Sequence, residues 1–159
     1  CICDFCLCYR PIHTSRYLGN LMNIKKLVNE LVGTAVLLIA VVGSSYMAAS
    51  LTSDKALSLL IVAAVTAAAL AIIIKSGAAI SGAHYNPAVT ISSLLTGGIK
   101  VMEAVAYIVT QIIGAIFGVL IANAMFSEAL IGSSSIVRSG SGQFIGEVVA
   151  TTFRSRCFP

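Results

Sequence analysis

Three apolar runs, each long enough to cross a lipid bilayer, dominate this chain and limit what it can fold into. They are VNELVGTAVLLIAVVGSSYMAASL over 28–51, ALSLLIVAAVTAAALAIII over 56–74 and MEAVAYIVTQIIGAIFGVLIANAMF over 102–126. About 20 residues at a rise of about 1.5 Å cross the hydrocarbon core, so each run predicts a transmembrane helix. Composition agrees. Only 10% of the 159 residues are charged, 58% are hydrophobic, and the mean hydropathy is +0.98. A water-soluble domain of this size needs far more charge on its surface. The net charge of +4 comes from scattered basic residues, which excludes the clustered basic patch of a nucleic-acid-binding protein. The lipid bilayer is the expected environment.

Between the second and third runs lies SGAHYNPAVT, residues 81–90. It contains His, Asn and Pro, none of which a lipid-facing helix favours. Two readings fit: a loop outside the membrane carrying an interfacial helix, or a re-entrant segment, 77–97, whose half-helix is too short to cross. Pro87 suits the first turn of such a half-helix, where a missing N–H costs nothing. At membrane depth, non-helical backbone persists only against protein or a water-filled cavity. The re-entrant reading therefore expects an extended stretch from Gly77 to Tyr85, with Gly77 and Gly82 permitting close packing and unusual backbone angles. Asn86 would cap the half-helix and turn its amide toward the lumen. The positive end of that helix would disfavour cations while passing neutral solutes.

Arg10, Arg16, Lys25, Lys26, Lys75 and Lys100 lie on one side of the expected topology, against Lys55 and Arg138 on the other. This bias predicts a cytoplasmic N-terminus, and so a segment that dips in from the cytoplasmic side. A short repeat, Glu30-Leu31-Val32-Gly33-Thr34 and Glu147-Val148-Val149-Ala150-Thr151, opens the first run and a fourth that starts near Gln143. With an odd number of spans between the copies, the second enters from the opposite face, as in an inverted-topology duplication. Glu30 and Glu147 read either as interior carboxylates accepting hydrogen bonds from irregular backbone or as exposed groups near the interface. Gln111 reads as interior polar glue.

The motif S-G-x-H before Asn-Pro-Ala, here Ser81, Gly82 and His84 before Asn86, Pro87 and Ala88, resembles the first signature loop of the aquaporin (major intrinsic protein) family. The E-x-x-G-T of span one and the Q-x-x-G-A at 111–115 resemble that family too. The resemblance covers about 29–152. It implies an all-α membrane protein, an aquaporin-like inverted-repeat bundle of six spans with two half-helices, assembled as a homotetramer with one pore per subunit. It implies transport of water and small neutral solutes such as glycerol, without enzymatic activity or cofactor. Carried over by position, Asn86, Pro87 and Ala88 form the first of two Asn-Pro-Ala motifs. The carbonyls of Gly82, Ala83 and His84 line the cytoplasmic half of the pore, and Thr66 falls near one wall of its constriction. His84 is read as a neutral imidazole anchoring the loop, or alternatively as a gating or proton-sensing group.

The organisation expected is a leader over 1–22 and a first repeat over 23–126. An extracytoplasmic loop over 127–142, the start of a second repeat over 143–152 and a tail over 153–159 follow. The leader carries four cysteines in CICDFCLC. Their spacing fits no zinc site, so the stretch reads as a leader ahead of a start at Met22, with a metal knuckle or palmitoylation cluster as alternatives. The tail, with Arg154 and Arg156, departs from the family pattern and no second Asn-Pro-Ala follows. The expectation is a truncated channel from the plasma membrane that does not conduct alone; the alternative is a non-conducting fragment that at most associates with intact subunits.

Overall fold

A computed structural model describes residues 24–130 and 145–146. Among these residues the fold is entirely helical. It comprises α1 (Ile24–Leu51), α2 (Lys55–Ser81), α3 (Pro87–Leu95) and α4 (Val101–Met125). Three of the four, α1, α2 and α4, are long and apolar enough to span a membrane. With the family established below, they mark an integral membrane protein.

The turn into α2 has a local cause. Thr52 Oγ1 accepts from the Asp54 N–H (3.0 Å), and Asp54 Oδ1 accepts from the N–H groups of Ala56 (2.8 Å) and Leu57 (3.3 Å). A short acceptor thus satisfies the donors that the first turn leaves open. α2 then runs antiparallel to α1, and α4 runs parallel to it. Lys26 at the start of α1 pairs with Glu103 at the start of α4 (2.7 Å), and at the far end the Tyr46 hydroxyl donates to Asn123 Oδ1 (3.0 Å).

The α1–α4 contact is made by missing side chains. A Cβ built on Gly114 would lie 2.5 Å from the Leu31 carbonyl oxygen, and one on Gly118 would lie 2.5 Å from that of Ala35. Four residues apart, the two glycines let the backbones touch, the close approach that drives helix association in lipid. Ala104, Tyr107, Gln111, Ala122 and Asn123 complete the buried face of α4.

The distribution of polarity is the reverse of a soluble protein's. Glu30, Thr90 and Gln111 are fully buried, while Leu59 and Ile72 are about 70% exposed. Polar groups inside and apolar groups outside is the arrangement a hydrocarbon solvent selects. Among the described residues every buried side-chain polar atom has a hydrogen-bond partner.

One expectation is corrected. Gly77 to Ser81, expected as extended chain, is the end of α2. The non-helical segment is only the linker 82–86. The helix continues because its last turns are held from outside: Asn29 Nδ2 bonds Ser81 Oγ (2.7 Å) and the Gly77 carbonyl (3.3 Å), and the Tyr107 hydroxyl donates to the Ser81 carbonyl (2.9 Å). Span two is accordingly longer than 56–74, and Lys75 lies within the helix. α1 begins four residues before the expected 28, and α4 is offset by a single residue from 102–126.

Candidate functional site

The linker between α2 and α3 begins where α2 is capped. Gly82 adopts a left-handed conformation (φ 87°), and its N–H closes onto the Ala78 carbonyl (3.1 Å), which ends the helix. Ala83 (φ 55°) and Tyr85 (φ 49°) are left-handed as well. For residues with a Cβ this conformation costs on the order of 1–2 kcal/mol each, so the surroundings must impose it.

Glu30 is the main source of that constraint. Its Oε1 accepts from Ser81 Oγ (2.5 Å) and the His84 N–H (3.0 Å), and its Oε2 from the Tyr85 N–H (2.7 Å) and Gln111 Nε2 (2.8 Å). Four donors surround one fully buried carboxylate. Charge-assisted bonds of this kind are roughly twice as strong as neutral ones, which offsets the cost of burying the charge. Gln111 extends the network, its Nε2 also reaching Thr90 Oγ1 (3.0 Å) on α3. One side chain from α1 and one from α4 thus fix both the linker and the short helix after it.

α3 starts as its sequence dictates. Asn86 has extended backbone and its Oδ1 accepts the Ala88 N–H (2.8 Å), while Pro87 fills the first helical position. Among the described residues nothing accepts from the Asn86 amide nitrogen, and nothing donates to the carbonyls of Gly82 or Ala83. Ala88 is half-buried beside the cap. The His84 ring lies edge-on to Tyr107 (centroids 5.4 Å apart), with Nδ1 3.1 Å from Thr90 Oγ1.

Ser81, Gly82, Ala83, His84, Asn86, Pro87 and Ala88 are therefore gathered with Glu30 and Gln111 in one cluster. Thr66 is not part of it. It sits on α2 about 20 Å before Ser81 at the helical rise, half-buried, with its hydroxyl donating to the Val62 carbonyl (2.7 Å). Glu147 and the start of the fourth run lie outside the described residues, apart from a helical pair at 145–146. Sequence reasoning missed Asn29, Thr90 and Tyr107 as partners of the linker. Asn29, a polar residue beside Glu30 at the head of an apolar run, was the available signal.

The sequence profile described as Major intrinsic protein matches residues 18–156. The chain belongs to the major intrinsic protein family. Among curated relatives, it is 39% identical over 126 residues to Aquaglyceroporin AqpS of Rhizobium meliloti, covering 79% of this chain and 54% of that protein. Over 91 residues it is 36% identical to Aquaporin NIP1-2 of Arabidopsis thaliana, covering 57% of this chain and 30% of that one. Over 77 residues it is 42% identical to Aquaporin-1 of Rattus norvegicus, covering 45% and 29%. The chain thus spans about half the length of the first relative and less than a third of the other two.

Proposed function

We propose that this chain supplies the first half of a passive transmembrane channel for water or small neutral solutes such as glycerol. The observation that carries this reading is Asn86. Its carbonyl oxygen is committed to capping α3, and among the described residues its amide nitrogen, at the positive end of that helix, has no acceptor. A donor fixed at a helix N-terminus can orient a passing hydroxyl or water oxygen while the helix dipole opposes cations. The carbonyls of Gly82 and Ala83, with that of His84, would supply the acceptors of a single file. The aquaglyceroporin name of the Rhizobium relative supports including glycerol.

In this reading Pro87 and Ala88 complete the motif, and Glu30 and Gln111 support the loop, with Glu147 as the counterpart of Glu30 in the second repeat. Thr66 forms part of a constriction wall. The re-entrant segment enters from the cytoplasmic side of the plasma membrane, the side to which the bias of basic residues assigns the N-terminus. The complete channel assembles as a homotetramer.

Reconstitution tests the proposal. Proteoliposomes carrying the complete channel should shrink under an osmotic step faster than empty vesicles, for water or for glycerol. Rates equal to those of empty vesicles for both solutes would refute it.

A further inference from the structure

Resting on the channel reading above, we infer that Tyr85 is a positioning residue for the pore linker, and that its hydroxyl works through a latch with Asn29. Three independent contacts hold Tyr85. Its N–H is bound by Glu30 Oε2 (2.7 Å), and its hydroxyl donates to the Ile73 carbonyl (3.1 Å) and accepts from Asn29 Nδ2 (3.0 Å). Its ring fills a slot cut by two glycines, because a Cβ on Gly33 would collide with the ring and one on Gly77 with the hydroxyl. The side chain therefore runs back along α2 and is fixed at both ends.

The backbone shows why such a hold matters. Tyr85 is left-handed at φ 49° and directly precedes Asn86. Rotation about its backbone would turn the peptide that aims Asn86 and swing the carbonyls before it. A large side chain in that region returns to extended backbone unless something prevents it. Glu30 alone fixes the N–H and leaves the following peptide free to turn. The ring and hydroxyl remove that freedom. Asn29 is the shared member, since the same amide also holds Gly77 and Ser81 at the end of α2. Linker direction and helix end are thereby coupled.

The test uses Tyr85→Phe, which keeps the ring, Asn29→Ala and the double variant, each reconstituted as the complete channel. Flux of the fastest permeant among water, glycerol and urea is measured per folded subunit over a range of temperatures. Each single variant removes the bond between Asn29 and the Tyr85 hydroxyl, and should lower flux per subunit about three- to tenfold and steepen its temperature dependence. The double variant should lose less than the product of the two single losses, because the bond between Tyr85 and Asn29 is broken in both. Tyr46→Phe, which removes a hydroxyl bonded at the opposite end of the bundle, should leave the temperature dependence unchanged. Unchanged flux per subunit with unchanged temperature dependence in Tyr85→Phe would overturn the positioning role while leaving the channel reading intact. A wild-type channel with no flux of any of the three solutes would remove both.

Discussion

Glu30 on α1 and Gln111 on α4 meet under the linker, with Gln111 Nε2 2.8 Å from Glu30 Oε2 and both side chains fully buried. This contact joins α1 to α4 at the point where the chain leaves helical geometry. The linker is thus held by the bundle around it as much as by its own sequence.

Removing the carboxylate should be severe. Glu30→Ala leaves the N–H groups of His84 and Tyr85, the Ser81 hydroxyl and the Gln111 amide without their acceptor. The expected loss is about 3–5 kcal/mol, read as a large drop in the unfolding temperature in detergent. Glu30→Gln keeps one acceptor but points an amide N–H at donors, so it should fall between Ala and wild type. An unfolding temperature unchanged in Glu30→Ala would refute the anchoring role.

Close approach of α1 and α4 gives a second expectation. Gly114→Ala places a methyl group against the Leu31 carbonyl and should cost about 1–3 kcal/mol through forced separation of the helices. Gly43→Ala, whose new methyl group would only touch the Phe126 ring at 3.4 Å, is the matched control and should be near neutral. Equal unfolding temperatures for the two variants would show that the contact is looser than described.

Capping by Asn86 can be separated from the donor on its amide nitrogen. Asn86→Ala should destabilise α3 by about 1 kcal/mol, seen as faster hydrogen exchange at Ala88. Asn86→Asp keeps the cap acceptor and should retain slow exchange at Ala88, yet lose solute flux because the free donor is replaced by an anionic oxygen. Equal exchange in Asn86→Ala and wild type would contradict the cap.

Topology is testable by labelling. With a cytoplasmic N-terminus, a cysteine placed by Gly98→Cys should react with a membrane-impermeant thiol reagent only from the cytoplasmic side, and one placed by Ser53→Cys only from the other. The reverse pattern would invert the proposed orientation.

Much of this was legible along the chain. Spanning length and scarcity of charge mark α1, α2 and α4, because a bilayer of fixed thickness demands about 20 apolar residues whatever surrounds them. Asn86 and Pro87 announce the start of α3, because capping and the missing proline N–H act within a turn. Local causes leave local marks.

What sequence alone did not determine is where α2 stops and how the linker is bent. Lys75 to Ser81 have the composition of either helix or extended chain near a glycine-rich segment. Asn29, about 50 residues earlier, and Tyr107, 26 residues later, hold the helix to Ser81. The left-handed angles of Ala83 and Tyr85 carry no mark in residue type, since they are imposed by Glu30 and by the slot between Gly33 and Gly77. These contacts exist only after the helices pack, so only the tertiary structure decides them. Spans and caps arise from interactions within a turn or with the solvent, whereas the linker's shape depends on acceptors that distant segments deliver.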